Sequence, residues 1–146
     1  AVADGTPVDA LVLMEAPPLL HFTRADMRRE ALALAHWPAL QVFRNTSVHQ
    51  IVDTWSTAPI RAAISTWDLI AALDLLASVK RIQAPLFLLY GGRDAIVKPA
   101  QAAEVQAAAP PHATFWTVPG ASHLTLFLRR DVQELIARWF ASQLHS

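Results

Sequence analysis

Two side chains in this sequence stand where acid–base chemistry could be done. Asp94 follows an apolar run ending at Tyr90, after Gly91-Gly92-Arg93, and His123 follows a second run ending at Val118, after Pro119-Gly120-Ala121-Ser122. A carboxylate that accepts a hydrogen bond from an imidazole N–H fixes its tautomer and leaves the other ring nitrogen as a general base. Taken singly, an Asp after Gly-Gly is an ordinary turn or cap residue, and one His is an ordinary loop residue. Their order after two strand-like runs makes them a candidate pair. Ser122, next to the histidine, reads as a loop hydrogen-bonder and not as a nucleophile. The other histidines, at 21, 36, 49, 112 and 145, show no i, i+4 pair and no carboxylate cluster. No metal site and no cofactor are expected from them.

The elements that must hold this pair can be read from patterning. Residues 8–14 form a nearly continuous apolar run closed by Pro17-Pro18, as do residues 85–90, closed by Gly91-Gly92. Such runs suit strands covered on both faces by helices. Residues 113–118, β-branched and aromatic, make a third strand ended by Pro119-Gly120. Tyr90 and Trp116 are expected in the core. Between the first two strands the period becomes helical. Thr23 caps a helix carrying Met27, Leu32, Leu34 and Trp37, and a second helix holds Val48, Ile51, Val52 and Trp55. A third, from Thr66, carries Leu69, Ile70, Leu73, Leu76 and Val79. Residues 100–109 are Ala-rich and helical, and the last helix, from Asp131, carries Val132, Leu135, Ile136, Trp139 and Phe140. Strands alternating with helices predict an α/β fold with a parallel sheet. Groups that act on ligands in such sheets gather beyond the carboxyl ends of the strands, where Asp94 and His123 both fall.

Composition narrows the classes of function. Twelve basic and twelve acidic residues cancel, so no strong field draws the chain to nucleic acid or to an anionic membrane surface. The Arg28-Arg29 and Arg129-Arg130 pairs read as solvated helix faces. There is no cysteine, hence neither a thiol nucleophile nor a disulfide framework, and no apolar run reaches membrane-spanning length. Yet 53% of the residues are hydrophobic and only 16% charged, with a mean hydropathy of +0.29. A domain of 146 residues should expose more charged surface than that. The expectation is that part of its surface is covered by something else.

At these residues the chain resembles a known family. The segment Ala84-Pro-Leu-Phe-Leu-Leu-Tyr-Gly-Gly-Arg-Asp-Ala-Ile-Val97 looks like the acid-bearing strand and loop of α/β-hydrolases, and Val118-Pro-Gly-Ala-Ser-His123 like their histidine loop. Leu11-Val-Leu-Met-Glu-Ala-Pro17 resembles the strand before their helical cap, and Arg138-Trp-Phe140 suits their last helix. The resemblance covers nearly the whole chain but only the C-terminal half of the fold. It implies a partial sheet of about three parallel strands with flanking helices, built from residues 1–20 and 80–146, and a cap or lid over residues 21–79. It gives Asp94 and His123 the acid and base roles of a triad. It makes Glu15, after the earlier strand, an alternative acid, and places Trp37, Trp55 and Trp67 where cap aromatics can wall a substrate pocket.

One part of the triad is missing. A nucleophile elbow needs Gly-x-Ser-x-Gly or a near relative, but the four glycines stand at 5, 91, 92 and 120, and none of the seven serines sits on a strand-to-helix turn. The expectation is acyl hydrolysis of a small-molecule substrate of ester or thioester type, medium-sized and fairly apolar, with a nucleophile from an N-terminal segment or companion chain. This chain alone would be inactive. An Asp nucleophile would turn the same pair to dehalogenation or epoxide opening, and a non-catalytic module pairing along the strand at 8–14 is the reading from another class. Neither nucleic acid nor membrane is an expected partner, and a cytoplasmic location is expected.

Overall fold

The computed structural model describes residues 5–18, 23–36 and 74–144. Among these, the element order is β1 (Leu11–Met14), α1 (Arg24–Ala35), α2 (Leu75–Val79), β2 (Leu86–Gly91), α3 (Pro99–Ala108), β3 (Thr114–Val118), α4 (His123–Leu128) and α5 (Arg130–Leu144). The strands form one parallel sheet in the order β1-β2-β3, with Leu11 opposite Leu86 and Leu89 opposite Trp116. Trp37, Trp55, Trp67 and the helix expected at residues 48–55 lie outside the described residues. Of the helix expected from Thr66 through Val79 only the end is described. There Asp74 caps a new short helix, its side chain accepting from Ala77 N, so the expected helix does not run through Asp74 unbroken.

β2 is the centre of the sheet, and its alternating residues build two separate cores. Leu86, Leu88 and Tyr90 face one way and pack with Val79, Ile82, Ile96, Val97, Ala102 and Val105, beneath α2 and α3. Phe87 and Leu89 face the other way and meet Val118, Ala121, Leu126 and Val132, beneath α4 and α5. All six residues of β2 are buried, which is why the segment reads as an unbroken apolar run. Each Leu or Phe so buried contributes about 1.5–3 kcal/mol. The apolar stripe expected on the last helix is present: Val132 is buried, and Leu135, Ile136 and Trp139 pack beside it.

Two expectations need correction. β1 is shorter than residues 8–14 and only half-buried along its length, with β2 on one edge. Trp116 is not core; it is 53% exposed on the outer strand β3, where Val118 alone is buried. A third finding concerns the histidine. The segment expected as a loop turns directly into α4, with His123 as its first residue.

α1 starts where Thr23 places it. Thr23 N and Thr23 Oγ1 both donate to Asp26 Oδ2, at 2.8 Å each, and Asp26 N donates back to Thr23 Oγ1 at 3.2 Å. That reciprocal cap satisfies donors the first helical turn leaves open. Leu32, expected on the helix's apolar stripe, is 50% exposed, whereas Asp26 and Glu30 are buried.

Candidate active site

Asp94 and His123 meet just beyond the carboxyl ends of β2 and β3. The first cause is the backbone between them. Gly91 ends β2, and a Cβ there would stand 2.6 Å from Ala121 O and 3.0 Å from Glu15 Oε1. Only glycine lets the chain before His123 pass so close. Two backbone bonds then lace the loops together, Gly92 N to Val118 O at 2.9 Å and Arg93 N to Ala121 O at 2.8 Å.

Asp94 is buried and fully committed. Its Oδ1 accepts from Ile96 N and Val97 N, both at 2.7 Å, so the turn after β2 folds around the carboxylate. Its Oδ2 lies 2.9 Å from His123 Nδ1. A carboxylate oxygen at that distance accepts from Nδ1–H and so fixes the tautomer of the imidazole. No hydrogen bond to Nε2 occurs among the described residues, and the His123 side chain is 22% exposed. A histidine held in this way has its Nε2 lone pair available for a proton from elsewhere. Arg93, the residue before Asp94, is exposed, and its backbone N–H donates to Ala121 O.

Ser122 sets the start of α4. Its Oγ accepts from Thr125 N, and its own N–H donates to Thr125 Oγ1 at 2.8 Å. The hydroxyl is a helix cap, in keeping with the hydrogen-bonding role read for it. Phe127 stands edge-on to the imidazole with ring centroids 6.1 Å apart.

Glu15 comes to the same nitrogen from the end of β1. Its Oε2 is 3.3 Å from His123 Nδ1, its side chain is fully buried, and neither oxygen has a hydrogen-bond partner among the described residues. Its backbone sits at φ 49°, the left-handed region, which costs a non-glycine residue roughly 1 kcal/mol. Burial pushes the Glu15 carboxyl up to about 10, and the Asp94 and Glu30 carboxyls push the same way. At neutral pH Glu15 therefore holds a proton, and a neutral carboxyl offers little to a developing imidazolium. Of the two acids, Asp94 has the shorter bond and the backbone support.

The donor atoms of Glu15, Asp94 and His123 lie within 4.8 Å of one another, close enough to surround a cation. A metal would require Nδ1 to give up its proton and its bond to Asp94, and the two amides on Asp94 Oδ1 to share that oxygen. The arrangement suits a hydrogen-bonded pair better than a ligand set.

Patterning did not single out Glu30. It sits beside the Arg28-Arg29 pair, which suggested a solvated face, and both arginines are indeed exposed. Yet Glu30 is 1% exposed, with Oε1 accepting from Ala95 N at 2.8 Å and Oε2 from Leu124 N at 3.3 Å. The available signal was its i, i+4 spacing from Asp26, which puts both acids on one side of α1.

A family model described as serine aminopeptidase, S33, matches residues 31–128. The chain belongs to this family. Its fold is that of the α/β-hydrolases, and solved structures share it. A Mycobacterium tuberculosis H37Rv protein provisionally named a non-heme bromoperoxidase is 25% identical over 93% of this chain, with a TM-score of 0.50. An esterase from Thermogutta terrifontis (18% identical, 92% of this chain, TM-score 0.59) and a hydrolase from Pseudomonas aeruginosa PA01 (18%, 94%, 0.60) share the fold. The chain spans 59%, 56% and 56% of the length of these three proteins. No curated protein sequence matches the S33 chain significantly. Among its described residues, no helix is long and apolar enough to cross a membrane.

Proposed function

We propose that this S33-family chain supplies the acid–base half of an acyl hydrolase that acts on small-molecule substrates of ester or thioester type. The observation that carries the reading is the 2.9 Å bond from His123 Nδ1 to Asp94 Oδ2, on a carboxylate whose other oxygen is pinned by two amides. His123 Nε2 takes the proton of a serine hydroxyl as its oxygen attacks the substrate's acyl carbon. Asp94 stabilises the imidazolium without taking its proton. When the tetrahedral intermediate collapses, Nε2 gives that proton to the departing alcohol or thiol, leaving an acyl-serine. Water then attacks the acyl carbon, its proton goes to Nε2, and the proton returns to the serine as the acid leaves.

The serine comes from an N-terminal segment or companion chain, because no serine here stands in an elbow. We place that segment along β1, whose second edge carries no strand among the described residues. Residues 21–79, a stretch that includes α1 and α2, act as the lid, with Trp37, Trp55 and Trp67 as candidate walls of the acyl pocket.

In the protein that carries this chain with its nucleophile, Asp94→Asn should lower acyl transfer by about three to four orders of magnitude, and His123→Ala by at least as much. Near-normal turnover of His123→Ala would remove the pair from the chemistry. A serine-reactive phosphonate should label that protein and leave residues 1–146 alone unlabelled. Labelling of this chain by itself would overturn the assignment of the nucleophile to another segment.

A further inference from the structure

The buried carboxylate of Glu30 has no part in the proposed chemistry, yet it touches both sides of the site. Ala95, whose N–H it accepts at 2.8 Å, directly follows Asp94; Leu124, whose N–H it accepts at 3.3 Å, directly follows His123. These contacts join residues 65 and 94 positions apart in the chain. Three successive amides leave the turn after Asp94. Those of Ile96 and Val97 go to Asp94 Oδ1, and that of Ala95, itself buried, goes to Glu30. On the other side, Leu124 N belongs to the first turn of α4, where Ser122 already serves Thr125 N. Glu30 thus takes the remaining donor of the acid turn and one open donor of the histidine helix. A carboxylate suits this place because the two N–H groups reach its two different oxygens, both of them acceptors.

We infer that Glu30 is a positioning residue: from α1 it sets the distance between the acid turn and the start of α4, and so holds Asp94 Oδ2 and His123 Nδ1 within hydrogen-bond reach. This rests on the reading of Asp94 and His123 as the working pair. α1 is tied down a second time at its start, where Asp26, capped by Thr23, lies 3.8 Å from Lys98 Nζ at the head of α3. The helix therefore spans from the acid loop to the histidine helix as a brace.

Glu30→Gln tests this with little change of shape. The amide keeps one oxygen but turns an NH2 toward the second N–H, so one of the two bonds is lost. The measurements are steady-state kinetics in the complete protein and the low-field proton signal of the imidazole Nδ1–H bonded to carboxylate. The expected result is a kcat lowered by about tenfold or more with KM within about twofold, together with a shifted or broadened His123 signal. A wild-type kcat and signal in Glu30→Gln would overturn the inference, as would a lowered kcat beside an unchanged signal. If Glu30→Gln does not fold, Glu30→Asp, which keeps both acceptors on a shorter stem, is read by the same two measurements with the same expected and overturning results. The controls separate this from the reading beneath it. If wild-type protein lacks hydrolase activity, or keeps it in His123→Ala, the proposed function fails, while the signal in Glu30→Gln still decides whether Glu30 sets the pair.

Discussion

At the scale of single residues, the site is a matter of which carboxyl keeps its charge. Glu15 and Asp94 both approach His123 Nδ1, at 3.3 and 2.9 Å. They differ in support: Asp94 receives two amides, whereas Glu15 is buried with both oxygens unpartnered. Folding raises the Glu15 pKa from 4.5 to about 10. Between those values the folded form holds a proton that the unfolded chain has released, so stability is lost as pH rises through that window. Glu15→Gln keeps the shape and cannot ionise. Its advantage over wild type in denaturant unfolding should therefore be small near pH 5 and grow steadily toward about pH 9. A constant difference across that range would mean that Glu15 is not held neutral. Gly91 makes the complementary case. In Gly91→Ala the new methyl meets Ala121 O at 2.6 Å, so the loop two residues before His123 must move. Loss of stability of about 1–3 kcal/mol is expected, with a disturbed His123 signal; an unperturbed variant would show that the close approach does not matter.

Among the elements, α4 determines how the histidine is presented. Ser122 and Thr125 form a reciprocal cap that starts the helix one residue before His123. Ser122→Ala removes the acceptor for Thr125 N and should cost about 1 kcal/mol of stability. The hydroxyl is placed here as a cap, so this variant should keep its reactivity toward a phosphonate probe in the complete protein. Loss of labelling in well-folded Ser122→Ala would give the hydroxyl a chemical role. The three strands, the last two helices of the expected alternation and the Asp94–His123 meeting were legible in the sequence, because each follows from local pattern: apolar runs, β-branched residues, and glycine or proline stops. α4 was not, since Ser-x-x-Thr before a six-residue helix carries too short a pattern to separate from a loop. Trp116 misled for a different reason. A large aromatic in a strand signals burial only if a helix covers that strand, and which strands are covered is a property of the sheet. Glu30 was hidden in the same way, as its buried face depends on amides that lie 65 and 94 residues downstream.

On the scale of the molecule, the low charge content finds its counterpart in β1. Leu11 and Leu13 lean on one core of β2, Val12 and Met14 on the other, yet all four remain half-buried. Residues of a parallel strand bond alternately to the two sides. Leu11 N reaches Pro85 O and Glu15 N reaches Leu89 O, both at 2.9 Å, so Leu11, Leu13 and Glu15 direct their N–H groups toward β2. The N–H groups of Val12 and Met14 consequently point to the opposite edge. An apolar strand with such an edge invites pairing with another strand. If the nucleophile-bearing part of the fold docks along β1, it must cover these two amides in particular. Hydrogen exchange can compare this chain with the protein that contains it together with its nucleophile. Val12 and Met14 should exchange quickly in the first and become protected in the second, while Leu11 and Glu15 stay protected in both. Fast exchange at Val12 and Met14 in the complete protein would show that its remaining strands join elsewhere. Protection of the same two amides in the isolated chain, appearing only as concentration rises, would mean that a second copy takes the edge instead.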